Sequence, residues 1–182
     1  MPLLDRARIV QNCYITHDIE ATCHRFHDMF GIGPFLVGRN PIPAEDVTHR
    51  GKQATEPLDF SRAFVQSGDL NIEFIQPHSK EQNAFWDMFA EGEEGLHHVA
   101  IFAEDYIAER DAFVAAGFEV ATELSLLPDC SVSFIDTRSV LGHMVELYED
   151  HPILRMTYQQ TRDVAENWDG TDMIRGGIAR DQ

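Results

Sequence analysis

The chain has 182 residues, an apolar content of 43% and a formal net charge of −17 at pH 7. That length fits one compact domain, or two small ones sharing a core. The excess of acidic residues repels phosphate backbones and anionic lipid surfaces, which argues against nucleic-acid and membrane partners.

The cysteine content and the first residues favour a cytoplasmic location. Three cysteines at irregular spacing predict no disulfide framework, which fits a reducing compartment. The N-terminal MPLLDRARIV lacks the pattern of a signal peptide, and no apolar run approaches the roughly 20 residues of a membrane span. Cys13 and Cys23 lie on apolar faces of predicted elements, so both are interpreted as core residues.

The first half of the chain predicts strands around one helix. Asp18 can cap this helix, and Gly31 can end it. Its apolar face carries Ile19, Cys23, Phe26 and Phe30. Residues 41–57 are polar and rich in proline, which predicts a loop. Strands are predicted over residues 9–16, 60–66 and 71–76.

The second half predicts the same succession of elements. Residues 79–95 show helical spacing of apolar side chains and are interpreted as a linker helix. A second helix runs from Asp105 to Ala116 and is ended by Gly117. Strands are predicted over residues 98–103, 120–124, 131–136 and 143–148. The tail, residues 151–182, has no counterpart in the first half and predicts a short docked helix.

The two halves are copies of one unit. At one constant offset, Gln11 to Asp18 aligns with His98 to Asp105. Each copy is predicted to contain a strand, an acidic turn and a helix that ends at a glycine, followed by further strands. The predicted fold is therefore α+β, with two βαβββ modules that form a curved mixed sheet around a cleft. The predicted domains are a first module over residues 8–78, a linker over 79–95, a second module over 96–150 and an extension over 151–182.

Four polar residues occupy matching places in the two copies. Gln11 and His98 open a strand in each half, whereas Glu73 and Glu146 lie in each last strand. Taken singly, each of these side chains is interpreted as part of a solvated strand face. Taken together, they can converge when two repeats close face to face, and oxygen and nitrogen donors that converge predict a metal site.

These patterns resemble the vicinal oxygen chelate superfamily, which includes glyoxalase I, methylmalonyl-CoA epimerase, extradiol dioxygenases and drug-resistance proteins. The stretches that carry the resemblance are Gly95-Leu-His-His-Val-Ala-Ile101, Gly142-His-Met-Val-Glu-Leu147, and Asp18-Ile-Glu-Ala21 with Phe30-Gly-Ile-Gly-Pro34. The last of these is most similar to the epimerase-like branch. The resemblance implies that the metal ligands are Gln11, Glu73, His98 and Glu146. His98 rather than His97 keeps register with Gln11, because adjacent side chains of a strand point to opposite faces.

The implied ligand set holds one divalent ion and leaves two positions for water or a small-molecule substrate. Three oxygens and one imidazole suit Mg, Mn, Co, Ni or Zn. Such an ion acts as a Lewis acid on a substrate carbonyl, so the neighbouring C–H becomes more acidic. The expected activity is that of an isomerase or epimerase that works through an enediolate of an acyl thioester or 2-oxo acid.

The base for this reaction has several candidates. By resemblance to the epimerases, Glu56 in the loop before the third strand of the first module takes this role. A ligand carboxylate, Glu146 or Glu73, can instead detach and act as the base, as in glyoxalases. His49, near the same loop, is a further candidate.

Other activities are compatible with the same pattern. A glyoxalase-type lyase acting on a hemithioacetal would use the same four ligands. A ring-cleaving dioxygenase fits less well, because its iron site is made of two histidines and one carboxylate. A non-catalytic ligand-binding protein of this fold is an alternative from a different class. Paired modules of this superfamily also imply a homodimer.

Overall fold

The computed structural model describes residues 3–4 and 7–177, and the chain folds as α+β. The elements of the first half are β1 (Ile9–Ile15), α1 (Ile19–Phe30), β2 (Phe35–Arg39), a 3-10 helix (Ala44–Asp46), β3 (Val47–His49), β4 (Lys52–Gln53), β5 (Phe60–Ser67) and β6 (Leu70–Pro77). The remaining elements are α2 (Ala84–Met88), β7 (Gly95–Ala103), α3 (Tyr106–Ala115), β8 (Glu119–Leu127), β9 (Cys130–Asp136), α4 (Arg138–Leu141), β10 (Met144–Glu149), α5 (Pro152–Glu166) and β11 (Ile174–Gly176).

All strands of the described residues join one mixed sheet, in the order β11-β2-β5-β6-β1-β7-β10-β9-β8-β3-β4. The orders β2-β5-β6-β1 and β8-β9-β10-β7 show the same arrangement in each half. In both halves the first strand pairs in parallel with the last, as β1 with β6 and β7 with β10. An antiparallel pairing of β1 with β7 joins the halves, so the first strand of each half lies at the centre of the sheet.

The helix boundaries follow from the capping residues that the sequence predicts. The Asp18 carboxylate accepts a hydrogen bond from the backbone N–H of Ala21 at 2.9 Å, and Asp105 does the same for Ala108 at 3.1 Å. Gly31 ends α1 in the left-handed conformation, with φ of +66°. Both helices cover the outer face of the sheet, where Cys23 of α1 and Phe113 of α3 are buried. The concave face is left for a second core.

The predicted loop over residues 41–57 is wrong in part, since it contains the 3-10 helix, β3 and β4. Strand β3 pairs with β8 of the other half, with Val47 opposite Leu124. Both residues are buried. The backbone N–H and C=O groups at the edge of a sheet lack hydrogen-bond partners. Strand β3 supplies partners for these groups of β8. The pairing partner is far away in sequence, so local composition gave no signal for this strand.

The linker helix is shorter than predicted and is confined to α2. The Asn83 side chain accepts hydrogen bonds from the backbone N–H groups of Phe85 and Trp86 and so starts the helix. Phe85 is buried against Phe60 and Phe134, with ring centroids 5.4 and 5.8 Å away. The linker thus contributes an aromatic side chain to the core on the concave face.

The tail forms α5 and then β11. Tyr158 of α5 packs edge-on against Phe102, with ring centroids 5.3 Å apart, and β11 pairs in parallel with β2. Trp168 lies beyond the helix, against Gly33. A Cβ atom at Gly33 would lie 2.6 Å from the indole ring, so this contact requires glycine. Among the helices of residues 3–4 and 7–177, none is both long and apolar enough to cross a bilayer.

Candidate metal centre

Three of the four predicted ligands meet on the concave face of the sheet. Glu73 comes from β6, His98 from β7 and Glu146 from β10. His98 Nε2 lies 3.0 Å from Glu146 Oε2 and 3.8 Å from Glu73 Oε2. The imidazole is fully buried, and each glutamate side chain is only 8% exposed. These three positions converge because the strands that carry them are close neighbours at the centre of the sheet.

Gln11 is buried beside this group, and its amide is occupied by other partners. Its Nε2 donates to Asn71 Oδ1 at 2.8 Å, and its Oε1 accepts from the Tyr148 hydroxyl at 3.1 Å. Asn71 lies opposite Gln11 in the pairing of β1 with β6. Gln11 Oε1 keeps a second lone pair, and its role as a metal ligand stays a prediction.

Cys13 is a member of the cluster that the sequence reasoning assigned only to the core. Its Sγ and one ligand atom each of Glu73 and His98 all lie within 4.8 Å of one another. Cys13 is opposite Glu73 in β6 and opposite His98 in β7. The signal was available in the sequence, because residues 11 and 13 of a strand face the same side.

His97 fixes the tautomer of His98. His97 Nε2 lies 2.9 Å from the carbonyl oxygen of Ala84, which only accepts, so this nitrogen carries the proton. His97 Nδ1 then accepts from His98 Nδ1, 2.8 Å away. Burial lowers the pKa of both imidazoles to about 3, so both are neutral at pH 7. His98 therefore presents an unprotonated Nε2 toward Glu146.

The two carboxylates are destabilised in their charged form. Burial, and then repulsion by Glu146, raises the pKa of Glu73. Burial also raises the pKa of Glu146, against the opposing effects of the Tyr148 hydroxyl and Arg62. His98 Nε2 and Glu146 Oε2 have no hydrogen-bond partner among the described residues. Two acceptor lone pairs that face each other at 3.0 Å fit a shared cation, so the donors suit a divalent metal.

A cavity of about 660 Å³ opens beside this cluster, between the concave face and α5. Glu73, Glu146 and Tyr148 line it together with Arg62. Apolar side chains from β5, β8, β9 and α5 form much of the remaining wall, including Phe60, Leu124, Leu126, Phe134, Ile153 and Met156. The volume is typical of a site for a small organic molecule.

The structure does not bring the other predicted bases to this cavity. Glu56 is exposed, and its backbone N–H donates to the Glu81 carboxylate at 3.0 Å. His49 contacts Thr122 at 3.0 Å and lies 3.6 Å from Asp87. Glu56 and His49 line a separate, smaller hollow of about 230 Å³. Among the described residues that were predicted as bases, Glu146 and Glu73 line the large cavity, whereas Glu56 and His49 do not.

Residues 10–134 match the Glyoxalase/Bleomycin resistance protein/Dioxygenase superfamily. This match spans more than half of the chain, so the chain belongs to that superfamily, and the resemblance predicted from the repeated strands is confirmed. The name of the superfamily covers enzymes and a drug-resistance protein, so membership alone does not establish catalysis. Among curated proteins, none has a sequence that matches this chain.

Solved structures share the fold at low sequence identity. A hypothetical protein from Bacillus halodurans C-125 is 18% identical over 81% of this chain and 96% of its own, with a TM-score of 0.53. Methylmalonyl-CoA epimerase from Mycobacterium tuberculosis is 16% identical over 84% and 96%, with a TM-score of 0.51. A Streptomyces coelicolor methylmalonyl-CoA epimerase variant in complex with 2-nitronate-propionyl-CoA is 19% identical over 80% and 96%, with a TM-score of 0.51. These likenesses establish the fold alone.

Proposed function

We propose that this protein is a divalent-metal-dependent isomerase or epimerase that moves a proton next to a carbonyl of a small-molecule substrate. The supporting observation is the buried cluster at the cavity wall, where His98 Nε2 and Glu146 Oε2 face each other without a hydrogen bond. The epimerases among the structural neighbours support the same reaction class through the fold. The substrate is an acyl thioester or a 2-oxo acid.

Glu73, His98 and Glu146 would hold the ion, with Gln11 as the fourth ligand through Oε1. Cys13 is close enough to Glu73 and His98 to compete with Gln11 for that position. A bound divalent ion, of Co, Ni, Zn, Mn or Mg, supplies Lewis-acid polarisation of the substrate carbonyl. The imidazole needs no deprotonation at neutral pH, because His97 already keeps His98 Nε2 unprotonated.

Glu146 is the proposed base, and its carboxylate would have to leave the ion to take up a proton. Its Oε2 has no hydrogen-bond partner among the described residues, and the side chain lines the cavity. Burial raises the pKa of Glu146 in the metal-free protein, and a bound divalent cation would oppose this shift. Glu56 lines the other hollow, and this placement gives its proposed role as the base no support.

A second candidate function is non-catalytic binding of an apolar ligand. The observation that favours it is the cavity itself, whose wall is largely apolar. Such a protein would need no metal, so metal content separates the two candidates. A hemithioacetal lyase would share the metal cluster and differ in substrate. We also propose that the protein is cytoplasmic and forms a homodimer.

The test is hydrogen exchange into deuterated water, measured by NMR on 2-oxooctanoate and octanoyl-CoA. The protein is loaded with Zn²⁺ or Co²⁺, and its metal content is measured in the same preparation. We expect exchange next to the carbonyl to require metal and to fall at least about 100-fold in Glu146→Gln. Glu56→Gln is expected to exchange like the wild type. A protein that binds 2-oxooctanoate but retains no metal would contradict the proposed function.

A further inference from the structure

The first strand of each half carries one predicted ligand, and each of these side chains needs a partner that orients it. His97 holds the ring of His98 through a contact of 2.8 Å between their Nδ1 atoms. Gln11 has a different requirement, because the two ends of its amide are similar in shape but only the oxygen has lone pairs for a metal. The groups that hold this amide therefore decide whether Gln11 can act as a ligand.

The register of the sheet places Gln11 next to Glu146. Gln11 of β1 and Glu146 of β10 are both register partners of Ala100 in β7, one from each side. Residues that pair in this way point to the same face of a sheet. Ala100 is buried in the core on the concave face. Because its side chain is a single methyl group, the longer side chains of Gln11 and Glu146 can meet above it.

The amide of Gln11 is held at both ends. Its Nε2 donates to Asn71 Oδ1 at 2.8 Å, and its Oε1 accepts from the Tyr148 hydroxyl at 3.1 Å. All three residues are buried, which strengthens these hydrogen bonds and limits competition by water. An amide oxygen has two lone pairs, so Oε1 can accept from Tyr148 and bind an ion at the same time.

Tyr148 is held in turn by the tail. The hydroxyl of Tyr158 in α5 donates to the hydroxyl of Tyr148 at 3.4 Å, which is long for this type of bond. Packing adds to the contact, since the Phe102 ring lies 5.1 Å from the Tyr148 ring and 5.3 Å from the Tyr158 ring, measured between centroids. A Tyr148 hydroxyl that accepts from Tyr158 keeps its own proton for Gln11. The tail thus reaches a predicted metal ligand through two tyrosines.

We infer that Tyr148 is a positioning residue that orients Gln11 Oε1 toward the metal, and that Tyr158 of the tail helix holds Tyr148 in place. This inference rests on the proposed function, because it gives Gln11 the fourth ligand position. It also assigns a role to the extension over residues 151–182. Burial raises the pKa of Glu146 and the Tyr148 hydroxyl opposes this rise, so the carboxylate competes with Gln11 for the same proton. Once the carboxylate is a metal ligand it is a weaker acceptor, and the proton stays with Gln11.

The experiment measures the affinity of the full chain for Zn²⁺ by competition with a chromogenic chelator. We expect Tyr148→Phe, which removes only the hydroxyl, to lower the affinity about 10- to 100-fold. Tyr158→Phe should lower it about threefold, since the bond that it removes is long and the ring still packs. Tyr106→Phe is the matched control, because the Tyr106 hydroxyl contacts Ser133 and the residue lies in the core on the outer face. This control should bind zinc like the wild type.

The same measurement in two further backgrounds separates orientation of Gln11 from a general effect on the fold. In Gln11→Ala the ligand is gone, whereas in Gln11→Glu a carboxylate presents an oxygen in either orientation. We expect the added Tyr148→Phe change to alter zinc affinity by less than about twofold in both backgrounds, because the two residues act as a unit. Thermal unfolding of the metal-free variants shows whether each of them is folded.

Two results would overturn the inference and leave the proposed function standing. One is an unchanged zinc affinity in Tyr148→Phe, and the other is a loss in the Gln11→Ala background as large as the loss in the wild type. Glu73, His98 and Glu146 are intact in all of these variants, so the ligand cluster itself is not altered. Failure of the wild type to bind zinc would overturn the proposed function, and the inference with it.

Discussion

His97 Nδ1 lies 2.8 Å from His98 Nδ1, so two consecutive residues of one strand are joined through their side chains. The register of β1 with β7 explains this contact. Cys13 pairs with His98, whereas the next residue, Tyr14, pairs with Leu96, so His97 is an extra residue on β7. Such a bulge changes the direction of side chains and is a way to aim one at a site. His97 thereby becomes a positioning residue for His98.

Replacing His97 with phenylalanine tests this role. The ring volume is kept, but the acceptor for His98 Nδ1–H is lost, so the orientation and tautomer of His98 are no longer fixed. We expect zinc affinity to fall about 10- to 100-fold, measured by competition with a chromogenic chelator. His24→Phe, on the exposed side of α1, is the control and should bind zinc like the wild type. Unchanged affinity in His97→Phe would show that His97 only fills space.

Glu146→Gln is expected to have opposite effects on function and stability. Loss of the carboxylate removes a ligand, so zinc binding should be lost. The metal-free protein should become more stable by about 1–2 kcal/mol at pH 8, because a buried charge that repels Glu73 is gone. Urea unfolding of metal-free protein measures this difference. Glu104→Gln, an exposed glutamate, is the control. A metal-free Glu146→Gln protein less stable than the wild type would argue against repulsion at this site.

The Cys13→Ser variant tests whether Cys13 is a metal ligand or only a residue of the core. If the thiolate coordinates, the Co²⁺-loaded protein absorbs in the near ultraviolet through sulfur-to-metal charge transfer, and Cys13→Ser loses this band. Cys23→Ser is the matched control, since Cys23 is also buried but lies on α1, in the core on the outer face of the sheet. A wild-type cobalt spectrum without the band would exclude Cys13 as a ligand and leave Gln11 as the predicted one.

Asp136 stabilises the fold in a pH-dependent way. Hydrogen bonds from Arg138 at 2.7 Å and Arg50 at 2.9 Å hold the pKa of this carboxyl well below its usual range. A depressed pKa contributes stability that is present above the unfolded value of about 3.9 and is lost as the pH falls below it. Asp136→Asn should therefore cost about 1–2 kcal/mol at pH 7.

The cost should shrink progressively below pH ~4, as the carboxyl group of Asp136 takes up a proton in the unfolded chain while it stays ionised in the folded protein. Urea unfolding at pH 7 and at pH 3 measures it. Asp111→Asn, an exposed aspartate on α3, should have little effect at either pH. An Asp136→Asn difference that is the same at both pH values would exclude this ionic contribution.

The repeat in the sequence predicted the central part of the fold. Asp18 and Asp105 start matching helices, and Glu73 and Glu146 lie on matching strands, because duplication preserves local signals. The strand β2 was not predicted, since Phe35-Leu-Val is a short run after Gly33-Pro34 with no alternation. The strand β3 was missed because its partner β8 is distant in sequence, and such pairing leaves no local pattern.

The site was predictable where alternation along strands holds, as for His98. Alternation failed at His97, because a bulge adds a residue that single-strand periodicity does not reveal. Cys13 was interpreted as core although it shares a face with Gln11, since its register opposite both Glu73 and His98 is a property of the sheet. The placement of Glu56 was uncertain from the sequence because loop length does not fix where a loop side chain points.

The tail joins the two ends of the cleft. Helix α5 starts just after β10 of the second module, while β11, which follows it, is hydrogen-bonded to β2 at the far edge of the first. If the two halves moved apart as rigid bodies, the tail would have to stretch or β11 would have to detach from β2. An opening that keeps β11 paired with β2 would therefore require a local displacement of α5, and shortening or lengthening the tail is expected to alter entry and escape rates without touching any residue of the metal cluster.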